Sequence, residues 1–172
     1  MVPIISFVGR ANSGKTTFLV KLIQELKQRG YRVAVLKHHH GDFEFDRPGK
    51  DTWLHAEAGA DIVMISSPSK MAMIKKIEQE LSLKELVLYA SGVDLIITEG
   101  YKHENASKIE ILRSAISKEP VCNETDLLAI VTDVRTEFSI PKFALEDVNA
   151  VADFLIDNLN IQKSSKAGET NV

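Results

Sequence analysis

Gly9-Arg10-Ala11-Asn12-Ser13-Gly14-Lys15-Thr16, followed at once by Thr17, satisfies the pattern G-x-x-x-x-G-K-[S/T] at every fixed position. Its surroundings narrow the options further. Ile4 to Val8 is an apolar run of strand length, and a helical pattern starts at Lys15, with Phe18, Leu19, Leu22, Ile23 and Leu26 on one face. Gly30 is a natural stop for that helix, and Val33 to Leu36 reads as a second buried strand. Strand, helix and strand of these lengths make a βαβ unit, so the two strands are expected to run parallel. A glycine-bent loop entering a helix turns backbone N–H groups inward and adds the positive end of the helix dipole. Arg10, Asn12, Ser13 and Thr17 complete the expected cradle around Gly9 and Gly14, while Lys15 reaches the β- and γ-phosphates and Thr16 holds magnesium. The expected ligand is a nucleoside triphosphate or diphosphate.

The rest of the composition sets limits. At 172 residues and 44% hydrophobic, the chain suits one domain, expected over residues 1–162, with a polar tail over 163–172. A formal charge of -3 supplies no whole-chain drive toward nucleic acid or an anionic membrane. A single cysteine, Cys122, excludes an internal disulfide framework and suits a reducing compartment. No apolar run approaches the ~18 residues of a membrane span, and the first strand begins without a leader, so the expected location is the cytoplasm.

Lys37 to Asp51, containing His38-His39-His40, shows no periodicity and leaves the C-terminal end of a strand, where open α/β sheets bind ligands. Asp51 is expected to cap a short helix over Thr52 to Ala58, and Ile62 to Ile65 reads as a third strand. Pro68 to Lys76 suggests a short edge strand, and Ser82 with Glu85 a capping box. Leu95 to Thr98, Ile109 to Leu112, Leu128 to Val131 and Phe143 continue the strand series. Val148, Val151, Ala152, Leu155, Ile156 and Leu159 form the buried face of a last helix, with Asp147 as its expected N-cap. Such alternation predicts a three-layer α/β fold, a mainly parallel sheet with helices on both faces.

Asp94-Leu-Ile-Ile-Thr-Glu99 delivers an acid to the end of an apolar strand, where it can serve the metal shell or orient water. Asp42, Glu44, Asp46 and Asp51 are the densest acid group, and Asp46 is the candidate among them for a second place at the magnesium. The three histidines could offer at most two ligands to one metal, since neighbours on an extended chain point to alternate sides, and His55 and His103 stand apart. A polar loop beside a triphosphate suits them better. An Asn-Lys-x-Asp guanine motif is absent; Val131-Thr132-Asp133 could place Asp133 at the base or simply cap a turn.

The loop from Gly9 to Thr17, Lys37-His38-x-His40 through Phe43, Asp46-x-Pro48-Gly49-Lys50-Asp51-Thr52, Ala58-Gly59-Ala60 and Thr98-Glu99-Gly100-Tyr101-Lys102 together resemble the MobB family of molybdopterin-guanine dinucleotide biosynthesis adaptor proteins. The likeness spans about residues 3–160. It implies a P-loop domain of the kind shared with signal-recognition GTPases, a homodimer, GTP and Mg2+ binding with weak hydrolysis, and assistance to the guanylyltransferase that joins GMP to molybdopterin. By position it makes Gly14, Lys15 and Thr16 phosphate and magnesium ligands and puts Asp46 and Glu99 near the metal, as the acids that would carry any catalysis. Gly41 replaces a histidine common in the family, and Thr52 a serine. The competing expectation is a small-molecule kinase on the same fold. Against it, Pro68 to Lys84, the candidate lid, carries lysines and no arginine.

Overall fold

The computed structural model describes residues 2–102, 104 and 106–163. His103 and, apart from Lys163, the expected tail lie outside the described residues. Packing divides the chain into two compact units, one running to His38 and resuming at Val87, the other His39–Leu86.

In the first unit, β1 (Ile4–Val8) leads through the phosphate loop into α1 (Lys15–Gln28), and β2 (Val33–Lys37) follows. Then come β5 (Leu95–Glu99), β6 (Ser107–Leu112), β7 (Leu127–Thr132), β8 (Lys142–Phe143) and α4 (Val148–Asn158). The six strands pair in the order β2-β5-β1-β6-β7-β8, and every pair is parallel. β1 and β2 thus share a direction, as the βαβ reading expects, but β5 lies between them. That insertion has consequences for the site, because it makes β5 and β6 the two neighbours of β1.

The core lies on one face of this sheet. Ile5, Phe7, Leu95, Ile97, Ile109, Ile111, Ala129 and Val131, spaced by two along their strands, meet Phe18, Leu19, Leu22 and Leu26 of α1 and Val151, Ala152 and Leu155 of α4. Removing such a side chain, Leu155→Ala for example, would cost about 2–5 kcal/mol. α1 stops in the expected place: Tyr31 N–H reaches Leu26 and Gly30 N–H reaches Lys27, a closure that the left-handed Gly30 permits. On the opposite face buried apolar side chains (Val8, Ile96, Leu112, Ile130) are mixed with buried polar ones. Thr98 donates to Ser6 at 2.7 Å, and the Glu110 carboxylate accepts from the Val121 and Cys122 amides at 2.7 and 3.0 Å. Glu110 therefore ties the β6–β7 connection down. Burial pushes its carboxyl above the usual range, with those two amides and the charge of Arg10 pulling it back.

The second unit contains α2 (Asp51–Glu57), β3 (Ile62–Ser67), β4 (Lys70–Lys75) and most of α3 (Leu83–Val87). β3 and β4 pair only with each other, antiparallel, and so stand outside the parallel sheet. A tight turn at Pro68-Ser69 closes that pairing locally, whereas joining a parallel sheet requires a long crossover. The Ser82–Glu85 capping box forms, with Ser82 amide and hydroxyl donating to Glu85.

One expected cap is displaced and the other is met without its side-chain bond. α2 begins at Asp51 rather than after it: Lys50 holds the cap position, and Asp51 enters the first turn, where its charge favours the helix end. Asp147 does occupy the N-cap of α4, but its carboxylate accepts from the Ala144 amide at 2.9 Å and makes no bond to the helix. The preceding turn competes for the same oxygen and wins.

Candidate functional site

The phosphate loop is shaped by backbone conformations that few residues tolerate. Gly9 has φ 139°, and a Cβ there would lie 2.5 Å from the Ile111 carbonyl oxygen of β6. Gly14 at φ 89° begins α1, and Asn12 between them sits at φ 61°. The bend exposes N–H groups to whatever occupies the loop. Ser13 is only 2% exposed, and its hydroxyl has no hydrogen-bond partner among the described residues. A buried hydroxyl without a partner costs stability, and an anion in the loop would relieve it.

Lys15 bends back over the loop, its Nζ donating to the carbonyls of Gly9 at 3.1 Å and Arg10 at 2.8 Å. Burial holds its ammonium below the usual lysine range; Glu99 draws it back up and Lys37 pushes it further down. A phosphate would supply the negative charge that this ammonium lacks. Because β5 neighbours β1, Glu99 at its end lies across from the start of α1, and the Thr16 hydroxyl donates to Glu99 Oε1 at 2.7 Å. Glu99 is 12% exposed in its side chain, with Lys37 Nζ 4.0 Å from Oε2. A hydroxyl and a carboxylate facing one another beside a phosphate cradle form a donor set of the kind hard Mg2+ prefers. The residues present fit both a polyphosphate and the ion.

Other expected site residues make local hydrogen bonds of their own. Asp46 belongs to the second unit, where its carboxylate accepts from the Arg47 amide at 2.8 Å and from Thr52, which lowers its pKa. Asp133 accepts from the Ser114 amide and hydroxyl, the latter at 2.7 Å, and those bonds lower its pKa as well. His38 lies against Tyr101 with ring centroids 5.0 Å apart. Among the described residues no group of three or more His, Cys, Asp or Glu side chains is gathered for a metal. On the β6 side of the loop, a cavity next to Ser13 and Gly14 is edged by Arg113 and Glu146. Sequence reading missed both. Arg113 follows directly on β6 and Glu146 stands just ahead of α4, and neither belongs to a recognisable motif.

Fold and loop together define a P-loop nucleotide-binding α/β protein. Residues 4–133 match the family described as Molybdopterin guanine dinucleotide synthesis protein B, and the chain belongs to this family, MobB. It is 34% identical over 163 residues to the molybdopterin-guanine dinucleotide biosynthesis adapter protein of Escherichia coli strain K12, covering 91% of this chain and 93% of that one. The adapter protein of that description from Haemophilus influenzae is 32% identical, covering 90% and 88%. A crystal structure of molybdopterin-guanine biosynthesis protein B (mobB) superposes with TM-score 0.74 at 32% identity, covering 91% of this chain and 99% of that one. Bacillus subtilis MobB gives 0.72 at 26%, covering 91% and 98%.

Proposed function

We propose that this chain is a GTP- and Mg2+-binding adapter in molybdopterin-guanine dinucleotide synthesis, acting in the cytoplasm as a homodimer beside the guanylyltransferase that joins GMP to molybdopterin. The observation that carries this reading is the meeting of Lys15, the unpartnered Ser13 hydroxyl and the Thr16–Glu99 pair around one glycine-bent loop. The adapter names of the relatives supply the pathway.

In this reading Gly9, Arg10, Asn12, Ser13, Gly14, Lys15, Thr16 and Thr17 hold the phosphates. Thr16, Glu99 and Asp46 serve the metal, which neutralises charge on the phosphate oxygens. Glu99 and Asp46 carry such hydrolysis as occurs, and turnover is slow because only Arg10 or a residue from the second copy offers itself as an arginine finger. Asp133 serves the nucleoside end through the turn that it ties down. The homodimer is supported by the hairpin: Ile62, Met64, Met71 and Met73 share one of its faces by register and are 46%, 63%, 67% and 37% exposed. Among the described residues no helix is long and apolar enough to cross a membrane.

Reconstituted transfer of GMP to molybdopterin, with and without this chain, tests the proposal. The chain should raise the yield when GTP and magnesium are present, and Lys15→Ala should not. Equal yields with wild type, with Lys15→Ala and with no addition would rule the adapter role out.

A further inference from the structure

A cavity of about 170 Å³ opens beside the phosphate loop, between the first turns of α1, the end of β6 and the turn that precedes α4. It is smaller than the roughly 300 Å³ at which pockets enclose a whole drug-sized ligand, so it suits one ring system. Ser13 belongs to both the cavity and the cradle, so a ring seated here would be continuous with phosphates held in the loop. Phe18, Ile111 and Leu145 supply apolar surface, Lys21 adds a cation from α1, and Arg113 and Glu146, both exposed, bring charge from the two turns at its edge. Among the described residues Glu146 is the only carboxylate in the lining.

Resting on the nucleotide reading above, we infer that this cavity receives the nucleobase and that the Glu146 carboxylate selects guanine. Guanine presents two adjacent donors, the ring N1–H and the 2-amino group, which a carboxylate accepts as a pair. It also presents O6, an acceptor that suits the Arg113 guanidinium. Adenine offers an unprotonated ring nitrogen where guanine has N1–H, so it gives a carboxylate facing it no donor to accept from.

Both charged groups are carried by turns held in place. The Ala144 amide donates to Asp147 Oδ2 at 2.9 Å and the Asp147 amide to the Ala144 carbonyl at 3.1 Å, so the turn bearing Glu146 is closed from both ends. The Arg113 carbonyl accepts from the Ile116 and Ser117 amides at 2.9 and 3.0 Å, and Asp133 grips the adjoining Ser114. Asp133 is then a positioning residue for Arg113. Its oxygens already accept from Ser114, whereas no hydrogen bond or ion pair engages the Glu146 carboxylate among the described residues.

The test is titration of the full chain in magnesium with GTP, XTP, ATP and inorganic triphosphate, for wild type, Glu146→Gln and Asp133→Asn. Xanthine carries a carbonyl where guanine has its 2-amino group. Glu146→Gln should therefore weaken GTP about tenfold, strengthen XTP and leave inorganic triphosphate unchanged. Asp133→Asn should weaken all nucleosides together without altering the GTP to XTP ratio. An unchanged ratio in Glu146→Gln, or a reversed ratio in Asp133→Asn, overturns the assignment of the base pocket alone. If wild type binds neither nucleotide nor inorganic triphosphate, the nucleotide reading falls as well.

Discussion

The two units of this protein solve opposite problems. In the first, β1, β5, β6 and β7 are buried on both faces, and the loop they support is shaped by backbone contacts as close as Gly9 against Ile111. In the second, β3 and β4 leave methionines and isoleucines open to solvent, and α2 buries none of its residues. A unit packed to its core can hold left-handed glycines, and a serine without a partner among the described residues, in readiness for a ligand. A two-stranded hairpin has no such reserve, and an isolated one is marginal in water. The contrast sets the phosphate cradle on the packed unit and the exposed apolar face on the hairpin.

The largest expected effect separates the units directly. Lys15→Ala should lower Mg–GTP affinity about a hundredfold, roughly 2.7 kcal/mol, by displacement of a fluorescent guanine nucleotide, with no change in oligomeric state. Next is Gly9→Ala. Its Cβ meets a backbone carbonyl that cannot swing aside, so thermal unfolding should show a loss of about 2 kcal/mol. A Gly9→Ala variant as stable as wild type would mean that the loop is less rigidly seated on β6 than the contact implies.

Much of the first unit is legible in the sequence because its signals are local and agree. The motif, the strand before it, the helix after it and the helix stop at Gly30 all point to one βαβ unit. The partnership of Thr16 with Glu99 follows from strand order, since β5 must neighbour β1 for the two side chains to meet. The hairpin is harder to read. Ile62 to Ile65 has the composition of a buried strand, and only pairing with β4 reveals that it lies outside the main sheet. Asp133 illustrates a third difficulty: the sequence shows an acid after a strand, but not that Ser114 already engages it. Arg113 and Glu146 carry no motif and become visible only when β6 and the start of α4 are brought to one cavity.

A smaller effect sharpens the other half of the contrast. Met64→Lys with Met71→Lys, on one face of the hairpin, should weaken self-association about tenfold, roughly 1.4 kcal/mol, by sedimentation. Mg–GTP affinity should stay as it was. Loss of nucleotide binding in that variant would show that the exposed hairpin face serves the nucleotide rather than association.

The smallest effect concerns Glu110. Its folded pKa is raised, so the native state favours the protonated acid, and the stability this contributes is present at low pH and lost as pH rises through the folded value. Wild-type stability measured against Glu110→Gln should therefore decline as pH climbs out of the ordinary carboxylate range. A flat or rising difference would place Glu110 in a wetter setting than its burial indicates.

Calorimetric titration of the wild-type chain with GTP, with and without magnesium, tests the site most directly. Saturable binding that weakens at least tenfold when EDTA removes the metal, and that weakens less in Glu99→Gln, is the predicted result. Absence of binding heat, or an affinity indifferent to magnesium, would contradict the loop and its Thr16–Glu99 pair as the seat of function.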